Sequence, residues 1–139
     1  MNLIYKYRIL KSSWGIAIDL EAKAVIYTQH LDFDINQETV RLNDTITLSI
    51  SPECKLEADE VRYLGKAILN FSTEVESKLP EDSKVNIHVV NIIVNYADYQ
   101  PEGLYCAMVG WLTLRFDFPM PQLDVRFDKG LNRYIIDTN

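Results

Sequence analysis

Through most of the first fifty residues, apolar side chains recur at every second position, which is the period of a strand with one buried face. Leu3, Tyr5, Tyr7 and Ile9 fall on one face of a first run, and Trp14, Ile16, Ile18 and Leu20 on one face of a second. A third run, residues 24–29, follows Glu21-Ala22-Lys23 closely enough to be read as its hairpin partner. After a polar stretch, residues 45–50 alternate again, with Thr45, Thr47 and Ser49 on the wet side. The pattern predicts an antiparallel meander.

The period then changes. Val61, Leu64, Ile68, Phe71 and Val75 are spaced three and four apart and draw a single apolar stripe, the signature of a helix lying on a sheet. Acidic residues, among them Glu57, Asp59 and Glu60, crowd its first turns, where they complement the helix dipole, and Pro80 follows its end. Ser51-Pro52-Glu53 offers an earlier N-cap and first turn. Residues 84–96 are β-branched on both sides of the alternation, as in a central strand.

Pro101-Glu102 is a good helix start, and Leu104, Met108, Trp111 and Leu112 then share a helical face, so residues 104–114 are read as a second helix; a strand fits the same residues. The chain closes with a hairpin across Asp128-Lys129-Gly130, Gly130 being expected to supply the positive φ. Together these elements predict an α+β fold: a mostly antiparallel sheet with one long amphipathic helix and a second helix on one face. At 139 residues, with no Pro/Gly-rich linker, repeat or low-complexity segment, the whole of 1–139 is expected to form one compact domain.

Composition narrows the chemistry. Twenty Asp and Glu against fourteen Lys and Arg give a formal net charge of −6, the wrong sign for gripping phosphates, and no Gly-rich loop reads as a nucleotide cradle. Nucleic acid is therefore not expected as a partner. No window approaches the roughly 20 apolar residues of a membrane span, and the first ten residues carry no signal-peptide pattern, so no membrane partner and a cytoplasmic location are expected. Two cysteines, Cys54 and Cys106, make no disulfide framework.

Candidate reaction centres are few. His30, Asp32 and Asp34 alternate and would share one strand face, a possible ligand trio for a divalent metal, but a wet strand face with Leu31 and Phe33 turned inward explains the same alternation. His88 and Cys106 carry no local signature of a thiolate pair, and twenty carboxylates make any one acid–base pair uninformative. Neither a catalytic residue, a metal site nor a cofactor is assigned.

What remains is an acidic, aromatic surface. The expectation is a small non-catalytic binding protein, such as an immunity-type inhibitor that neutralises a basic toxin or enzyme, with Asp32, Asp34, Glu38, Asp98, Tyr99 and Glu102 facing a basic protein partner. Two rival readings are a self-associating module, a homodimer formed through the alternating 3–9 strand, and an enzyme or small-molecule binder using a pocket near Trp14, Tyr63 and Trp111.

Overall fold

The computed structural model describes residues 1–33 and 37–139. Strand β1 (Leu3–Leu10) turns back into β2 (Gly15–Tyr27), and the short β3 (Glu38–Arg41) pairs with β4 (Ile46–Ile50). Helix α1 (Ala58–Asn70) and its one-turn continuation α2 (Ser72–Glu76) lead to β5 (Lys84–Val94); α3 (Gly103–Phe116) follows, and β6 (Val125–Asp128) and β7 (Arg133–Ile136) form a separate hairpin. The fold is α+β, with helices on one face of a mostly antiparallel five-stranded sheet, as its periodicity implies.

The strand order is β1-β2-β5-β4-β3, so the late strand β5 inserts between two early hairpins, antiparallel to β2 and parallel to β4. This corrects the expected meander. Glu21-Ala22-Lys23 is not a turn: β2 runs unbroken for 13 residues, and the disturbance there is a β-bulge. Glu21 opposes Asn91 while Ala22 opposes Val89, which leaves Val90 as the extra residue. The bulge also explains why β5 reads as apolar on both sides. Val85, Ile87 and Val89 face the core before it, Ile92 and Val94 pack there after it, and Ile93 is left exposed.

The helical stripe holds: Val61, Leu64, Ile68 and Val75 are buried, and Phe71 packs against them at the break between α1 and α2. Its start lies later than Ser51 suggests. Pro52–Cys54 is a short 3-10 turn closed by Lys55 at φ 51°, and α1 begins after Glu57, whose backbone N–H donates to Glu60 Oε1 at 2.8 Å. Helix α3 forms where the helical reading placed it, but it is more than a one-sided cover. Every residue from Gly103 to Leu112 is buried, because α3 lies against β1 and β2 on one side and α1 on another. At its first residue and again at its middle the backbone comes so close to the sheet that only glycine fits: a Cβ at Gly103 would lie 2.8 Å from Ile16 Cγ2, and one at Gly110 would overlap the Tyr5 ring.

The terminal hairpin closes one end of this core. Trp14, Phe127 and Tyr134 meet edge to face, with ring centroids 5.0 to 5.9 Å apart. Tyr134 Oη donates to the Trp14 carbonyl and accepts from the Lys11 N–H, both at 2.8 Å. Its loop does not use Gly130 for the left-handed position: Asn132, at φ 54°, takes it, a conformation its short amide side chain tolerates.

Candidate functional site

Three elements converge where β5 ends and α1 begins. After Val94 the chain makes a 3-10 turn, Tyr96–Asp98, held by the Asn95 side chain accepting from the Ala97 N–H at 3.1 Å. The turn throws Tyr96 almost wholly into solvent and sets its ring edge-on to Tyr99, centroids 6.2 Å apart. Tyr99 is half-buried, and its hydroxyl donates to Glu60 Oε2. The other carboxylate oxygen of Glu60 accepts from the Glu57 N–H. Glu60 is thus a carboxylate fixed from both ends, by the helix cap on one side and a phenol on the other. Burial, reinforced by this bond to an anion, pushes the Tyr99 hydroxyl far above the ordinary phenol range, so it remains a donor at any physiological pH.

These groups wall a pocket of about 240 Å³, with Ile92, Val94 and Tyr96 forming apolar walls and Glu57 and Glu60 an acidic one. Lys55 stands at the same pocket. A cation on an alkyl stem, the shape of an arginine or lysine side chain, suits such a cleft: its stem lies along aliphatic and aromatic carbon while its head meets a carboxylate that needs no reorganisation.

The residues singled out from the sequence divide. Tyr99 belongs to this pocket. Glu102, at the start of α3, does not line the pocket: only 18% of its side chain is exposed, and it is engaged by Arg133 at 2.7 Å, by the Tyr63 hydroxyl at 3.5 Å and by the Gln100 amide. Asp98 turns toward the β1–β2 hairpin, where its Oδ1 lies 3.5 Å from the Gly15 N–H. Glu38 is exposed at the start of edge strand β3, and Asp32 is exposed and bonded to His30 at 2.6 Å. Asp34 lies outside the described residues. Glu57 and Glu60 read in the sequence as the polar face of a helix; nothing linear places them 36 or more residues away from Tyr96 and yet beside it.

The other candidate chemistries separate as well. His88 points to the sheet face away from the helices, where its Nε2 meets Ser51 Oγ at 2.7 Å, whereas Cys106 is buried in α3 on the helix side. The sheet stands between them, so they form no thiolate pair. Burial pushes the Cys106 thiol up to about 11, and burial followed by the Lys23 charge lowers the His88 imidazole. Among the described residues no three His, Cys, Asp or Glu side chains cluster as metal ligands. Trp111 is fully buried in the core, its Nε1 donating to the Leu3 carbonyl at 3.0 Å. Among the described residues no helix is long and apolar enough to cross a membrane. Searches of family models, curated proteins and solved structures gave no match to the chain.

Proposed function

We propose that the chain is a non-catalytic binding protein whose acidic, tyrosine-walled pocket captures a basic side chain of a partner protein, as an immunity-type inhibitor would in neutralising a toxin or enzyme. The observation that carries the reading is the preorganised Glu60 carboxylate beside the exposed Tyr96 ring. Binding groups fixed before the encounter spare the ordering cost that weakens most surface contacts. The net charge of −6 adds a long-range attraction for a cationic partner and speeds encounter. Tyr96 supplies the anchor, since an aromatic side chain contributes large contact area for little lost conformational freedom.

The test uses a short arginine-rich peptide as probe. Titration followed by amide NMR is expected to shift signals around Tyr96, Tyr99 and Glu60, with affinity falling as salt rises. Tyr96→Ala and Glu57→Gln, two exposed changes, are each expected to weaken binding about tenfold. Shifts scattered evenly over the acidic surface, or an affinity untouched by both changes, would overturn the reading.

A further inference from the structure

On the helix side of edge strand β3, the sheet runs out from under α1 and leaves an open apolar groove of about 600 Å³. Val40, Leu42 and Leu48 form its sheet wall, and Val61 and Leu69 its helix wall, with Leu69 43% exposed. Arg62 and Lys66 line the same groove. Strand β3 pairs with β4 alone among the described strands, so its outer backbone groups are open to another strand. An unpaired edge and an unfinished strip of core therefore lie side by side.

We infer that the groove is covered by a second copy of this chain, the two β3 strands pairing antiparallel about a two-fold axis through Val40. The register follows from the pleat. Glu38 opposes Ile50 and Val40 opposes Leu48, so Glu38 and Val40 share the core-side face, with Leu42 in phase beyond them, while Thr39 and Arg41 take the other face. Antiparallel partners must present the same face, which an axis at Val40 satisfies: Val40 meets its own copy, Thr39 meets Arg41, and Glu38 meets Leu42.

The charges select this arrangement. Leu42 packs over Gly65, whose added Cβ would lie 3.2 Å from Leu42 Cδ2, and Lys66 follows Gly65 on α1 and lines the groove. Glu38 arriving opposite Leu42 thus comes beside Lys66, and symmetry makes the ion pair twice. Lys66 Nζ is already turned to an exposed acceptor, Asn139 Oδ1 at 3.2 Å, which the carboxylate would replace or join. The two Val40 side chains and the facing grooves bury each other's apolar surface, continuing the core across the axis. No proline and no bulge interrupts β3, and of its two charges the inward-facing Glu38, which would guard the edge in a monomer, is the one that Lys66 neutralises in the dimer. A ladder of five residues, 38–42, and two grooves make a modest contact, so the dimer is expected to dissociate in the micromolar range. This inference is independent of the tyrosine-walled pocket.

Sedimentation equilibrium across a wide concentration range is expected to show a monomer–dimer equilibrium. Glu38→Lys alone and Lys66→Glu alone are each expected to weaken it at least tenfold, and the combined exchange to restore it, a pattern that general damage to the fold would not produce. Val40→Asp, checked for native circular dichroism, is expected to be monomeric. A monomer at every concentration would assign the groove to some other ligand and overturn the proposal. So would a dimer that survives Val40→Asp, or a double exchange no better than the single changes.

Discussion

Gly110 of α3 and Tyr5 of β1 interlock: the Tyr5 ring occupies the space in which a Cβ on residue 110 would stand. The contact lets the helix backbone lie directly on the edge strand and positions Trp111 to donate to the Leu3 carbonyl. Gly110→Ala is expected to cost about 1–3 kcal/mol by overpacking, even though alanine is the better helix former. Replacing Tyr5 by Leu should recover part of that loss, so urea unfolding of the single and double variants must be non-additive; equal midpoints for wild type and Gly110→Ala would refute the interlock.

Gln100 acts as a piece of backbone. Its buried amide donates to the Tyr134 carbonyl at 2.6 Å and accepts from the Tyr134 N–H at 2.9 Å, giving β7 the two bonds a neighbouring strand would give. Gln100→Leu leaves both backbone groups buried without these partners and is expected to cost about 2–4 kcal/mol. The amide of Tyr134 should then exchange with solvent much faster, and an unchanged exchange rate would rule out this role.

Alkaline pH should destabilise the protein from within. The Cys106 thiol rises from 9.0 to about 11 because it is buried, with Tyr7, itself buried and pushed up, close by. A raised value means that the folded state holds its proton longer than the unfolded chain, so stability is complete below pH 9 and drains away as pH climbs toward 11. The loss from this one group is roughly 2–3 kcal/mol. Cys106→Ala should flatten the dependence of the thermal midpoint on pH in that window, and an equally steep profile would count against the buried thiol as its source.

Acid acts at the other side of the sheet. His88 is lowered from 6.5, chiefly by burial, and its Nε2 is paired with Ser51 Oγ. Here the unfolded chain takes up the proton first, so the stabilisation is intact above pH 6.5 and is lost as pH falls through the lowered folded value. Comparing melting temperatures of wild type and His88→Gln between pH 7 and 5 isolates the effect, the variant being expected to lose less; parallel curves would exclude it.

The sequence shows most clearly what depends on local periodicity. The stripe of α1, the inward faces of β1 and β2 and the start of α3 all follow from spacings of two, three and four, because each buries one face against a common core. What it hides is set by long-range pairing. Val90 looks like one more apolar residue of a buried strand, and only its opposition to Glu21 and Ala22 makes it a bulge. Glu21-Ala22-Lys23 looks like a turn for the same reason: the phase slips there, and a slip has the same linear signature whether the chain reverses or bulges. The candidate pocket was half visible, since Tyr96 and Tyr99 are close in sequence, while Glu60 joins them only through the packing of α1 beside the end of β5.

Strand β5, placed between the two hairpins, also sets a schedule. During synthesis β1–β2 and β3–β4 can each close early, but neither has a neighbour until residue 94 has left the ribosome, and the helix that caps the first hairpin is made later still. Until then both carry bare strand edges and uncovered apolar faces. The nascent chain is therefore most exposed to mispairing between residues 50 and 94, and a translational pause or a premature stop in that interval should yield aggregates instead of a partly working protein.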